Sequence, residues 1–193
     1  ATRRRNRLTG HIVAAEGHTV DVRVDQTFGN CPQYIQTREW HHRAQGASRT
    51  VRLTQLDEEM AAGITRADTF FVASGMRESD GSDASVGADI SHRGGRPGFV
   101  RVDDMRTLTI PDYPGNFHFN TLGNFEINPT AGLLFIDFES GDALMLTGRV
   151  EVLWDADEVH WFRGAERLWR FHLDHGVRLV DAVGSDNFKL LYD

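Results

Sequence analysis

Residues 88–129 read ADISHRGGRPGFVRVDDMRTLTIPDYPGNFHFNTLGNFEINP. Within six positions, Ser91 to Arg96, the chain sets a hydroxyl, an imidazole, two guanidinium groups and a glycine pair. Asn116, Asn120, Thr121 and Asn124 follow downstream. Both polar clusters adjoin apolar runs, 99–102 and 107–110, that read as strands, so the polar groups belong at strand ends, where loops on a rigid scaffold carry binding chemistry. Cations, backbone N–H groups left accessible by glycine, and side-chain amides together suit a planar ligand that carries a phosphate.

Working outward, most of the chain alternates at the period of a β-strand. Residues 11–15 and 19–25 flank the turn Glu16-Gly17 and read as a hairpin, with Val20, Val22 and Val24 along one face. Further strands are expected at 69–74, 132–138, 143–153 and 158–161. Leu133-Leu134-Phe135-Ile136 is apolar on both faces, as in a central strand. Thr54 is positioned to cap a helix over 55–67, whose first turn holds Asp57, Glu58 and Glu59. A second helix over 122–128 ends before Pro129. Residues 39–52 read as a connector and 77–87 as a polar loop, while 163–183 fits a helix or further strands equally. Leu8-Thr9-Gly10-His11-Ile12 recurs as Leu146-Thr147-Gly148-Arg149-Val150, a hint of duplicated units.

At 193 residues there is room for one sizeable domain, or one and a fraction. The net charge of −7 excludes generic polyanion binding, so no nucleic-acid partner is expected, and Arg3, Arg4, Arg5 and Arg7 read as a solvated charge run. No apolar run approaches the roughly 20 residues needed to cross a bilayer, so no membrane partner is expected either. Cys31 is the only cysteine, which precludes an intrachain disulfide and suits a reducing, cytoplasmic setting. The chain opens on Ala, as an edited or truncated end would.

The segments SHRGGRPGFVRV, PDYPGN, NTLGNFEINPTAGLLFIDF and LTGRVEV resemble the pyridoxamine 5'-phosphate oxidase-like proteins, which are FMN-binding split barrels. FGNCPQYIQTR at 28–38 is similar to a segment of that superfamily's two-repeat branch. The resemblance implies a mainly β fold: a six-stranded antiparallel Greek-key barrel with a few short helices. It also implies a homodimer with FMN at the subunit interface. Residues 1–45 would then be a hairpin segment closing a truncated first repeat, and 46–193 the FMN-binding barrel. The best-known oxidases carry a lysine-containing strand and a Ser-Arg-Lys clamp. Here the region has no lysine and reads Asn-Thr-Leu-Gly-Asn, which argues against pyridoxine oxidation.

Carried over by position, Ser91, His92 and Arg93 serve the phosphate or ribityl chain, and the chemistry of the residues adds Gly94 and Arg96. Asn120, Thr121 and Asn124, carried over likewise, serve the phosphate or ring edge; residue chemistry adds Asn116 there and Phe99, Phe117 or Trp40 to cover a ring face. The implied activity is FMN-dependent oxidation–reduction, with a reductase or iron–sulfur module as a plausible electron-transfer partner. The alternative is a non-catalytic protein that binds flavin or haem for storage or sensing; a third reading is an assembly module. Cys31 lacks a spaced activating base and reads as packed. The adjacent His41 and His42 would point to opposite strand faces, so no metal site is expected. Trp154, Trp161, Phe162, Trp169 and Phe171 read as core or dimer interface.

Overall fold

A computed structural model of the chain describes residues 4–29, 32–39, 48–75, 87–115, 119–182 and 189–191. The expectations placed on Cys31, Trp40, His41, His42, Asn116, Phe117 and the 77–86 loop fall outside them. Twelve strands and two helices are present among the described residues: β1 (Asn6–Glu16), β2 (Thr19–Gly29), β3 (Thr37–Glu39), β4 (Arg49–Leu53), α1 (Glu58–Arg66), β5 (Thr69–Gly75), β6 (Ala88–Gly94), β7 (Arg101–Asp104), β8 (Thr107–Asp112), α2 (Asn120–Ile127), β9 (Thr130–Ile136), β10 (Ala143–Leu153), β11 (Arg167–Val180) and β12 (Lys189–Leu191).

The main sheet has eight strands in the order β6-β5-β9-β10-β11-β8-β7, with β4 also paired to β11. Every pairing is antiparallel. β11, at 14 residues, is the strand on which the sheet is assembled. Its first half pairs with β8, its last five residues with β4, and β10 lies along its other edge. The sheet wraps one core in which Phe70 stacks on Phe135 at 5.0 Å and Phe125 meets Trp169 at 5.5 Å. Trp169 and Phe171 are fully buried, so this half of the aromatic set is core, while Trp154 and Trp161 stay exposed. This is the mainly β split-barrel architecture with short helices that the resemblance implies.

Three local expectations are corrected. α1 starts at Glu58, and its cap is Asp57, whose Oδ1 accepts from the Met60 N–H at 2.8 Å. Residues 54–57 lie before the helix, and there the Leu56 N–H bonds the Met105 carbonyl at 2.8 Å. Residues 158–161 form a 3₁₀ turn, Asp157–Trp161, in which the Val159 N–H bonds Ala156 O and the Phe162 N–H bonds Val159 O. Ser91–Gly94 lies within a strand rather than in a loop at a strand end: its backbone pairs with β5 from Thr69 to Val72. The ambiguous 163–183 stretch is resolved as β11.

β1 and β2 form a ribbon of their own. In it the recurring Leu-Thr-Gly has a structural meaning. The β1–β2 register slips between Thr9 and Gly10, and the β10–β11 register slips between Thr147 and Gly148. At both glycines a Cβ would lie 2.1 Å from a carbonyl of the partner strand, Arg23 O in one case and His172 O in the other. Each repeat therefore marks a β-bulge where the backbones approach too closely for any side chain.

Candidate functional site: a cavity between a sheet edge and a helix end

β6 alternates its side chains between two faces. Asp89, Ser91 and Arg93 share a face with their partners Ser74, Val72 and Phe70; His92 lies on the other, beside Phe71. α2 docks on the first face through three hydrogen bonds. The Thr121 hydroxyl donates to Ser91 Oγ at 3.0 Å, Asn124 Nδ2 to Ser74 Oγ at 2.9 Å, and Asn128 Nδ2 to the Gly75 carbonyl at 2.8 Å. No side chain caps α2, so its first-turn N–H groups, around Asn120 and Thr121, keep the positive end of the helix dipole.

Two ion-paired groups flank this junction. Arg7, from the base of the ribbon, donates through Nη1 to Asp89 Oδ1 at 2.7 Å and to Ser91 Oγ at 2.8 Å, with its guanidinium 4.3 Å from the Phe28 ring centroid. On the other side, buried Asp112 accepts from Arg93 Nη1 at 2.7 Å and from Arg167 Nη1 at 3.0 Å. Arg167 lies 4.9 Å from the Phe119 centroid and 5.4 Å from that of Trp154. The first pair is neutral. In the second, two guanidiniums share Asp112, and Arg167 Nη2 also pairs with Glu166 at 2.9 Å, so the group is balanced in charge.

These elements enclose a cavity of about 310 Å³. Its walls include Ser91, His92, Arg93, Gly94, Phe99, Asn120 and Thr121 of the residues expected from sequence. Arg96 is not among them. Its turn is bound to the end of α1, where the Gly98 N–H meets Thr65 O at 2.7 Å and the Gly95 N–H meets Asp68 O at 3.0 Å. Asn124 is also not a wall residue; its amide is used to seat α2. Asn116 lies outside the described residues.

The sequence reading missed Arg7, Phe28, Tyr34 and Tyr113, which also line the cavity. Arg7 is no solvated charge. An acidic Asp89 two positions before Ser91, on a face that must be buried, was the available signal that a cation would arrive from elsewhere. Tyr34 has a left-handed backbone, φ 65°, and its ring lies 5.3 Å from that of Tyr113. Gly94 permits this: a Cβ there would sit 2.2 Å from the Tyr34 carbonyl oxygen. Burial, and then Tyr34, push the Tyr113 phenol above its ordinary value. Burial, then Arg5, Arg38 and Arg93, hold His92 down to about 4, so it is neutral at pH 7.

The sequence model of the pyridoxamine 5'-phosphate oxidase family matches residues 56–182, and the chain belongs to that family. Solved structures are similar to the chain more loosely. HupZ from Group A Streptococcus is 12% identical, with a TM-score of 0.48 over 68% of this chain and 100% of that one. A putative pyridoxamine 5'-phosphate oxidase from Lactobacillus delbrueckii is 17% identical, with a TM-score of 0.47 over 65% and 94%. An FMN-binding protein from Syntrophomonas wolfei is 9% identical, with a TM-score of 0.45 over 62% and 84%. No curated protein matches the chain. Among the described residues no helix is long and apolar enough to cross a membrane, and no three His, Cys, Asp or Glu side chains gather as a metal site.

Proposed function

We propose that the cavity binds FMN and that the protein is a flavin-dependent oxidoreductase of the pyridoxamine 5'-phosphate oxidase type. The observation that carries this reading is the Thr121–Ser91 hydrogen bond, which joins the open end of α2 to β6 beside the guanidiniums of Arg93 and Arg167. A phosphate fits such a place: helix N–H groups, hydroxyls and a guanidinium are the donors it takes. Asn120 offers an amide for a ring heteroatom, and Phe99, Tyr34 and Tyr113 offer apolar faces. The cavity volume lies at the small end of the range for ligand pockets, roughly 300–1,000 Å³. Bound flavin would supply the redox chemistry; the chain positions it and sets its surroundings.

A homodimer is part of the proposal. The ribbon base lines the cavity, while the rest of the ribbon's apolar face is open to a second copy. Flavin titration of the purified protein tests the reading. FMN should quench and bind at least about tenfold more tightly than riboflavin, the share of one charge-assisted contact. Equal affinity removes the phosphate from this cavity, and no uptake of either ends the flavin reading. Bleaching of the bound flavin by NADH or NADPH then separates an oxidoreductase from a carrier.

A further inference from the structure

On the face of β6 away from α2, a second set of cations gathers that the flavin cavity leaves unexplained. Arg5 lies 5.6 Å from the Phe71 ring centroid, and the His92 ring meets the same phenyl edge-on at 6.0 Å. Arg38, from β3, lies 3.9 Å from the Phe138 centroid and pairs with Asp68 through Nη2. Asp68 is the one carboxylate that ion-pairs with this group among the described residues, and Arg5 has no carboxylate partner there. Two guanidiniums against one carboxylate leave a net positive charge before His92 is counted. Arg5 Nε, Arg38 Nη1 and His92 Nε2 are all buried and without hydrogen-bond partners. Buried polar nitrogens are almost always satisfied, so the two guanidinium N–H groups mark a missing acceptor, to which His92 Nε2 also donates in its N–H form.

We propose that Arg5, Arg38 and His92 form a binding site for a small tetrahedral oxyanion, distinct from the flavin cavity, and that binding there draws a proton onto His92. The chemistry is that of multiple N–H donors converging on an acceptor with several lone pairs. His92 feels the charges of Arg5 from the N-terminal segment, Arg38 from β3 and, through the sheet, Arg93 of its own strand, with Asp68 and Asp112 each already held by an arginine. Those three positive charges, together with burial, keep the imidazole neutral. An anion among them offsets the local positive potential and raises the His92 midpoint toward its ordinary value. His92 is also a wall residue of the flavin cavity, so the two sites share a boundary without sharing Arg5 or Arg38.

The test follows the His92 imidazole by NMR against pH in labelled protein, with sodium sulfate compared to sodium chloride at equal ionic strength, with and without saturating FMN. Sulfate does not titrate in this range, so any proton taken up belongs to the protein. The expected result is a saturable upward move of the His92 midpoint by about one unit or more, the effect of a close opposite charge. That move should persist with FMN present and be lost in Arg5→Gln, whose thermal stability checks that the fold survives. A midpoint equal in sulfate and chloride, a shift that Arg5→Gln retains, or one that FMN abolishes would each overturn the proposal. The last outcome would place the anion in the flavin's own phosphate position, leaving the flavin reading intact.

Discussion

Asp112 accepts from Arg93 and Arg167 while nearly excluded from water. Replacing Arg93 by Ala leaves Asp112 paired with Arg167, so the fold should survive, but the cavity wall loses a guanidinium. FMN affinity is then expected to fall by about 1.5–3 kcal/mol, the range for hydrogen bonds to charged groups, in a fluorescence titration. An unchanged dissociation constant would move the phosphate away from β6. His92 gives a separate prediction, for stability against pH. The folded chain protonates it only below about 4, whereas its ordinary value is 6.5. Between those values the unfolded state binds more protons, so its contribution is complete above pH 6.5, declines as the pH falls through the window, and levels off below pH 4. His92→Gln should flatten that acid slope by up to about 3 kcal/mol, at about 1.4 kcal/mol per unit. Denaturant unfolding between pH 7 and 4 measures it, and an unaltered slope would show that other groups set the acid limb.

At the scale of elements, the flavin proposal depends on how α2 meets β5 and β6. Asn124 does not reach the cavity, yet its amide holds buried Ser74. Asn124→Leu strands that hydroxyl and is expected to cost about 1–3 kcal/mol of stability in denaturant unfolding. Because the same bond seats the helix, FMN affinity should fall as well. Lost stability with unchanged affinity would mean that Thr121 and Asn120 are placed without it. The sequence displayed the elements far better than their contacts. Residues 143–153 were legible to the residue because their alternation is uninterrupted. Strand 107–110 was read two residues short because Pro111 and Asp112 look like terminators, yet both pair with β11. The polar part of β6 was read as a loop at a strand end because Gly94 and Gly95 obscure it. Its register is set instead by β5, which pairs Thr69 with Gly94 at one end and Gly75 with Ala88 at the other, and in part by the need to fit Tyr34 against Gly94. The cavity's polar half was legible because Ser91–Gly94 and Asn120-Thr121 are unusual in composition. Its aromatic half was not, because Phe28, Tyr34 and Tyr113 are ordinary residues brought in by long-range packing.

At the scale of the molecule, the two Leu-Thr-Gly bulges make the ribbon and β10–β11 a matched pair of hairpins with opposite burial. Leu146, Val150 and Phe171 are 2%, 7% and 0% exposed, whereas their counterparts Leu8, Ile12 and Val22 are 59%, 69% and 37% exposed. The counterparts follow from register: Val150 faces Phe171 across β10–β11, and Ile12 faces Val22 across β1–β2. One hairpin thus closes a core, and the other carries the same apolar face into solvent. An isolated two-stranded ribbon is marginal in water, and its β-branched stripe stabilises it only when something covers it. In the proposed dimer the cover is a second copy. Ile12→Asp combined with Val22→Asp should then release monomer. Removing two buried aliphatic side chains at about 1.5–3 kcal/mol each raises the dimer dissociation constant by about a hundredfold or more. Sedimentation across a dilution series reads this directly. The barrel's own unfolding midpoint, followed through the buried Trp169, should remain, since neither substitution touches the core. If the unaltered chain sediments as a monomer at every concentration, or the double variant dimerises as tightly as before, the ribbon is not the dimer contact and its stripe requires another cover.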